Sequence, residues 1–232
     1  MITDLNRWNG ILSSPSPEAL KSPNGIRVFK NSLLEKVIAR AHWTVPGLWV
    51  LPLATYFCVK SVDILSVEQT AALVLSGILC WSLLEYGIHK YLFHFRITPE
   101  MNPALKKTIF TLHGYHHEYP NDPGRLVMPI ALSWPLGSLL GLFFWGTLGT
   151  TLFFPVFSGV MLGYLSYDWV HYYSHHGRPT TRVGKYLHKF HAIHHFIDEN
   201  QNFGISSPVW DWIWGTAQEP KTPQGTSSKL SH

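Results

Sequence analysis

Histidine is concentrated in four short clusters of this chain. The stretch HKFHAIHH, residues 188–195, holds four imidazoles in eight residues, and the other clusters read HKYLFH, HGYHH and HYYSHH. Of the 14 histidines, only His42 and His232 lie outside these clusters. Imidazole is the commonest protein ligand for metal ions. The clusters therefore predict a metal site.

The spacing within the clusters indicates how the rings are directed. In HAIHH, positions i, i+3 and i+4 share one helix face, so that His191, His194 and His195 converge. Neighbouring rings such as those of His194 and His195 nevertheless point about 100° apart on a helix. Such a pair is poorly placed for one ion and well placed for two adjacent ions. His89 and His94 are five residues apart, about 140° around a helix, and either straddle a site or flank a helix end.

The number of imidazoles favours a dinuclear centre. Ten well-placed rings are too many for one ion and give about five nitrogens to each of two. Imidazole suits iron, zinc, copper and nickel, so the residues alone leave the metal open. The clusters contain no cysteine, which argues against a structural zinc finger or an iron–sulfur cluster. Cys58 and Cys80 lie in apolar runs and are predicted to be small buried hydrophobes.

Two acids inside apolar runs are predicted to support the site. Glu85 precedes His89 by one helical turn, and Asp168 precedes His171 by three residues. A charged side chain in a membrane helix is costly and usually functional. We expect both to accept the ring N–H of a metal-binding histidine. The alternative is a structural hydrogen bond to a neighbouring tyrosine.

The elements that position these residues are predicted to be membrane helices. Hydrophobic residues make up 46% of the chain and charged residues only 14%, against about 25% charged in soluble proteins. A bilayer core needs about 20 apolar residues per helix. Four apolar runs predict spans at about 45–62, 69–88, 126–148 and 150–170. Short connections join them in pairs, which predicts an all-α integral membrane protein of four transmembrane helices in two hairpins, with a cytosolic helical cap holding the dimetal site.

The basic residues predict the orientation. Of the 18 lysines and arginines, only Lys60 falls on the side of the hairpin tips. Positive charge concentrates on the cytoplasmic side of a membrane, so we expect the termini and all the histidine clusters there. This bias accounts for the net charge of +4 without a nucleic-acid partner. We expect a cytosolic N-terminal segment at 1–43, a catalytic domain at 44–216 and a disordered tail at 217–232.

The four clusters resemble the histidine boxes of the fatty acid hydroxylase superfamily of membrane di-iron oxygenases. The pattern HxxxxH, HxxHH, HxxxH, HxxHH is realised as HKYLFH, HGYHH, HYYSH and HAIHH. The stretches LLEYGIHKYLFHF, LHGYHHEYPNDPGRLVMP, GYLSYDWVHYYSHH and NFGISSPVWDWIWGT are most similar to fatty acid 2-hydroxylases. The resemblance covers roughly residues 75–216.

The resemblance implies a set of metal ligands and their cofactors. The ligands would be His89, His94, His113, His116, His117, His171, His175, His191, His194 and His195. His176 and His188 remain further candidates. The implied cofactors are two iron ions, which zinc can replace in purified protein, and O2.

The resemblance also implies an activity, hydroxylation of an acyl chain at C2, with a fatty acid or ceramide as substrate. Animal and fungal 2-hydroxylases carry a cytochrome b5-type domain, and the first 44 residues here are too short for one. We therefore expect a separate electron-transfer protein such as cytochrome b5, or a ferredoxin in a bacterium, docked near Arg182, Lys185 and Lys189. The expected location is the endoplasmic reticulum membrane, or the inner membrane of a bacterium.

Three other functions stay open from the sequence. A sterol desaturase or methyl oxidase and a carotenoid hydroxylase share the same boxes. A histidine-rich membrane metal-binding or transport protein belongs to another class. It predicts metal-binding groups in the middle of the spans, where this chain is apolar.

Overall fold

The part of the chain described by the computed structural model, residue 29 and residues 31–219, is helical and contains no strand. The all-α prediction is confirmed for this part. The predictions for 1–28 and 220–232 lie outside the described residues. The helices are α1 Ser32–Ile38, α2 Val45–Val62, α3 Val67–Gly87, α4 Pro103–Ile109, α5 Tyr115–Glu118, α6 Ile130–His176, α7 Arg182–Phe196 and α8 Val209–Trp214.

Local hydrogen bonds fix where the helices that carry the histidines begin. Ser66 and Gln69 form a reciprocal cap at the start of α3, in which each side chain accepts the backbone N–H of the other residue. The Thr181 hydroxyl accepts the Gly184 N–H at the start of α7. These caps satisfy backbone N–H groups of the first turn and so fix the residues at which α3 and α7 begin.

Three helical segments are long and apolar enough to cross a membrane: Val45–Val62, Val67–Phe93 and Pro123–His176. Large apolar side chains on them point outward, among them Leu75, 65% exposed, and Leu142, 61% exposed. Helices that expose such side chains while satisfying their own backbone groups suit a lipid environment. The sequence predicts four spans in the same region, two of them within the third segment.

The long helix α6 is interrupted at Gly149. This residue has φ 67° and ψ 170°, a conformation that glycine adopts far more readily than other residues. The parts on either side of it touch: the rings of Phe144 and Phe157 lie 5.9 Å apart, and Gly141 lies against the Phe157 ring. The two halves of α6 therefore pack on each other around the break.

Helices α3 and α6 meet at backbone contact. A Cβ on Gly159 would lie 2.0 Å from the carbonyl oxygen of Val74, and a Cβ on Gly77 would lie 2.0 Å from that of Val156. Small residues allow such close approach between membrane helices. The contact brings the end of α3, which His89 follows by two residues, beside the end of α6, which carries His171.

Gln218 and Glu219 are part of the folded body. The Gln218 N–H donates to Asn202 Oδ1, and Glu219 accepts the Tyr186 hydroxyl and the Trp212 indole N–H. The sequence places the start of a disordered tail at residue 217. These contacts join Gln218 and Glu219 to the rest of the fold, including α7 and α8, while residues 220–232 of the predicted tail lie outside the described residues.

Candidate metal centre

Ten histidines converge in two groups of five. Within each group, one nitrogen from every ring lies within 4.8 Å of the others. Group A is His89, His94, His113, His117 and His194, and group B is His116, His171, His175, His191 and His195. These are the ten residues that the sequence predicts as ligands. His176 and His188 belong to neither group.

Neighbouring histidines are divided between the groups. His116 belongs to group B and His117 to group A, and His195 and His194 are divided in the same way. The angle of about 100° between successive residues on a helix produces this division. The rings of His117 and His195 stack with centroids 4.3 Å apart, so the two groups lie side by side.

A π-helical turn explains how two histidines five residues apart share a group. Residues Ile88–Phe93 continue α3 as a π-helix, and the His94 N–H donates to the His89 carbonyl at 3.1 Å. The wider turn returns residue i+5 to the face of residue i. The rings of His89 and His94 therefore lie 5.0 Å apart instead of diverging by the α-helical angle.

The distances between nitrogens fit a metal ion. Nε2 atoms of several ring pairs lie 2.9–3.0 Å apart, including His89–His113 in group A and His116–His171 in group B. At a metal–nitrogen bond of about 2.1 Å, two ligands at a right angle lie about 3.0 Å apart. The same separation suits an N–H···N hydrogen bond between two rings, but a neutral imidazole has a single N–H, and in His89 and His171 a backbone carbonyl accepts it. The donor set therefore fits one ion in each group.

Backbone carbonyls orient three of the ten rings. The Nδ1–H of His89 donates to the Phe203 carbonyl at 2.5 Å, that of His194 to Gln201 at 2.7 Å, and that of His171 to Leu126 at 3.0 Å. A proton on Nδ1 leaves the Nε2 lone pair free to bind a metal. These bonds fix both the rotation and the tautomer of the rings.

Burial keeps the imidazoles outside the membrane-spanning segments neutral. Removal from water is the main cause that lowers the pKa of His194 to about 4, and it holds the pKa values of other group members well below the usual range, with neighbouring imidazoles adding to the effect. The other members affected are His113, His116, His117, His191 and His195. Neutral imidazoles are the form that binds metal.

The two predicted supporting acids are buried, but their described contacts go elsewhere. Glu85 accepts the backbone N–H groups of Ile205 and Ser206 at 2.7 and 2.8 Å, and also the Ser206 hydroxyl. Asp168 faces the Tyr164 side chain and the Met128 backbone. In the described structure neither acid bonds to an imidazole. The expected direct contact of Glu85 fails because loop 203–206 lies between its carboxylate and the His89 ring.

Sequence reasoning missed the acid that holds the other side of this loop. Asp211 is fully buried and accepts the N–H groups of Phe203 and Gly204 at 2.8 and 2.7 Å. It lies in WDWIW, where three tryptophans make the segment resemble a membrane-interface element. An acid inside an apolar run, the signal that singled out Glu85, is present here too.

The chain is similar to a family of known function. The family described as fatty acid hydroxylase matches residues 74–216. The dihydroceramide fatty acyl 2-hydroxylase FAH1 of Arabidopsis thaliana is 33% identical over 212 residues, which cover 89% of this chain and 86% of the relative. The human fatty acid 2-hydroxylase is 34% identical, over 84% of this chain and 58% of its own length.

A yeast relative is known in sequence and in structure. The ceramide very long chain fatty acid hydroxylase SCS7 of Saccharomyces cerevisiae is 35% identical to this chain. The matched region covers 83% of this chain and 50% of the yeast protein. A solved structure titled full-length scs7p, with only the hydroxylase domain visible, superposes with a TM-score of 0.78 at 31% identity, covering 84% of this chain and 73% of that one.

Proposed function

The chain belongs to the fatty acid hydroxylase family, and on this premise we propose that it hydroxylates C2 of an acyl chain, in a fatty acid or in the N-acyl group of a ceramide, at a di-iron centre. The observation that carries the proposal is the pair of five-histidine groups lying side by side at the ends of apolar helices. The named 2-hydroxylase relatives support the position of attack.

The ten histidines are the proposed metal ligands, with one ion in each group. Bound iron would supply O2 activation and cleavage of the C–H bond. The protein's own part is to present neutral Nε2 donors, to hold the rings in fixed rotations and to exclude water. The burial of His89, His191 and His194, each at most 1% exposed, supports that last role.

The part of the acyl chain that contains C2 is proposed to lie in a cavity beside histidine groups A and B. This cavity of about 70 Å³ is lined by His113 of group A, by His116 and His171 of group B, and by apolar side chains that include Leu112 and Leu132. It therefore borders both proposed ions and is apolar enough for methylene groups.

We propose four spans in two hairpins, with the histidines and termini on the cytosolic side. The break at Gly149 and the contacts between the two halves of α6 support a hairpin in this segment. The excess of lysine and arginine on one side supports the orientation. Residues 1–43 would form a cytosolic segment and 44–216 the hydroxylase domain, in the endoplasmic reticulum membrane or a bacterial inner membrane.

This placement suits the chemistry at C2. An acyl chain in a bilayer keeps its polar end near the membrane surface, so C2, which is adjacent to that end, lies near the depth of the helix ends. The proposed electron donor is a separate protein such as cytochrome b5. Arg182, Lys185 and Lys189 on α7 would attract an acidic donor to the same side.

Lipid analysis tests the proposed function. The chain and its His194→Ala variant are expressed in a host that lacks 2-hydroxylase activity, and hydrolysed lipids are analysed by mass spectrometry. We expect 2-hydroxy fatty acids with the unchanged chain and background levels with the variant. Oxidised sterols or carotenoids without 2-hydroxy acyl groups would contradict the proposal.

A further inference from the structure

One loop orients two histidines of group A that come from different helices. The carbonyls of Gln201 and Phe203 accept the Nδ1–H groups of His194, on α7, and of His89, at the end of α3. We call residues 201–206 the group A loop. Its position sets the rotation of both rings, so whatever holds this loop also holds these two ligands.

Two buried carboxylates hold the group A loop by four consecutive amides. Asp211 accepts the N–H groups of Phe203 and Gly204, and Glu85 accepts those of Ile205 and Ser206, all at 2.7–2.8 Å. Asp211 is 0% exposed and Glu85 is 3% exposed. A buried carboxylate is costly unless it is hydrogen-bonded, and charge-assisted bonds to N–H groups are among the strong ones. The loop is therefore rigidly anchored along its length.

Asn202 directs the two carbonyls. It lies between Gln201 and Phe203 and has φ 58°, a left-handed conformation that asparagine tolerates. Its side-chain amide donates to the carbonyls of Phe190 and Gln218. The first bond fastens the turn to α7 one residue before His191, and the second fastens it to the segment that follows α8.

A second loop does the same for group B. The Leu126 carbonyl accepts the Nδ1–H of His171 and follows the short turn Pro123–Arg125. The buried Asp122 side chain accepts the Gly124 N–H at 3.1 Å and an Arg40 N–H at 2.5 Å. We call residues 122–126 the group B loop. Its anchor is again a carboxylate that touches no imidazole in the described structure.

We propose that Asp211 and Glu85 are positioning residues for the ion held by group A, and Asp122 for the ion held by group B, each acting through a backbone carbonyl. The inference rests on the two-ion centre of the proposed function. Partners outside the ligand shell typically change metal affinity 10–100-fold. Because the carbonyls of each anchored loop accept N–H groups from rings of one group only, each carboxylate should affect mainly one ion.

Metal release tests this assignment. Asp211→Asn and Asp122→Asn keep the side-chain volume but remove one acceptor oxygen. The purified full chain is loaded with Zn²⁺ and mixed with a coloured chelator, and the release of both ions is followed in time. We expect each variant to speed release of one ion by about 10–100-fold and to leave the other at the unchanged rate. The double variant should release both ions quickly.

Two ligand variants identify the ion that is affected. His175→Ala disables group B and leaves group A, while His94→Ala disables group A and leaves group B. Asp211→Asn should speed release in the His175→Ala background but not in the His94→Ala background, and Asp122→Asn should do the opposite. Equal acceleration in both backgrounds, or none in either, would overturn the proposal.

A milder variant guards against misfolding. Thr216 donates its hydroxyl proton to Asp211 at 2.7 Å, so Thr216→Val loosens Asp211 while the carboxylate remains. Release from group A should again be faster, and an unchanged rate would count against the role of Asp211. This assay needs no lipid substrate. A chain that binds two ions but makes no 2-hydroxy lipid would therefore contradict the proposed function without deciding the positioning role.

Discussion

An imidazole binds a metal only through a nitrogen that carries no proton. In His194 the Nδ1–H donates to a carbonyl while Nε2, buried and without a hydrogen-bond partner, belongs to the group A nitrogens. This arrangement selects one tautomer before any ion binds, and the low pKa of the ring, about 4, keeps it neutral. The ligand role proposed for His194 follows from these two features.

Replacement of His194 tests this role directly. In His194→Ala, group A keeps four nitrogens, and we expect bound iron to fall from about two ions per chain toward about one, with loss of 2-hydroxylation. Iron is measured by elemental analysis of the purified protein. His176→Ala is the matched control, since His176 lies outside both groups and packs on the Tyr172 ring. Full iron content and normal turnover in His194→Ala would remove this residue from the ligand set.

Glu85→Gln should weaken activity through the group A loop. Glu85 accepts the backbone N–H groups of Ile205 and Ser206. Glutamine keeps one acceptor oxygen, but its NH₂ group cannot accept a hydrogen bond and would face these N–H groups or the Ser206 hydroxyl. We expect kcat to fall by about 10–100-fold, with KM little changed, because the displaced loop turns the His89 ring. Steady-state kinetics measures the effects on kcat and KM separately. Ser206→Ala keeps both hydrogen bonds from the backbone amides and should lower kcat less. Unchanged kinetics in Glu85→Gln would leave a structural role only.

At the residue scale, the sequence predicts what is local and misses what is distant. The division of His116 and His117 between groups follows from helical geometry, which spacing reveals. Spacing does not reveal the hydrogen-bond partners of Glu85, because Ile205 and Ser206 lie about 120 residues further along the chain. The amino-acid sequence indicates that a buried acid needs hydrogen-bond donors, but it does not show which loop provides them.

At the element scale, the glycine contact between α3 and α6 controls how the histidine-bearing helix ends meet. Gly159→Ala would put a Cβ 2.0 Å from the Val74 carbonyl oxygen, so the helices must separate. We expect a loss of about 1–3 kcal/mol in stability together with reduced iron content. Thermal unfolding in detergent and elemental analysis measure these effects.

A glycine in open space provides the control for this helix contact. Gly146 is also in α6, and nothing lies within 4 Å of the position of its Cβ. Gly146→Ala should leave stability and iron content near their original values. Equal behaviour of the Gly146 and Gly159 variants would show that the close contact does not position the histidines.

Sequence periodicity predicts most of the elements but not their irregularities. Apolar runs predict α2 and α3 nearly to their ends. The π-helical turn Ile88–Phe93 is not predicted, because a helix is assumed to repeat every 3.6 residues. The spacing of His89 and His94 therefore leaves two arrangements open. The structure resolves them by widening a single turn.

At the scale of the whole molecule, the centre joins parts of the chain that no local pattern connects. Group A takes rings from the end of α3, from the segment around α5 and from α7, while group B takes them from α5, α6 and α7. The spacing in each box indicates that metals bind. Only the resemblance to the family predicts that the four clusters form one site, because periodicity does not reveal long-range packing. The same packing places all ten rings at one end of the apolar helices.

The proposed topology makes an accessibility prediction for the whole molecule. Single cysteines are introduced at four exposed positions in a background without native cysteines, and sealed microsomes with the cytosolic face outward are treated with a membrane-impermeant maleimide. Cysteines at Lys107 and Thr180 should be labelled at once, because they lie on the side of the histidines. Cysteines at Ile64 and Thr150 should react only after detergent is added, because they lie at the opposite ends of the helices. Labelling of Thr150→Cys before detergent is added would show that the connection between the two halves of α6 lies on the cytosolic side. This result would exclude the second hairpin.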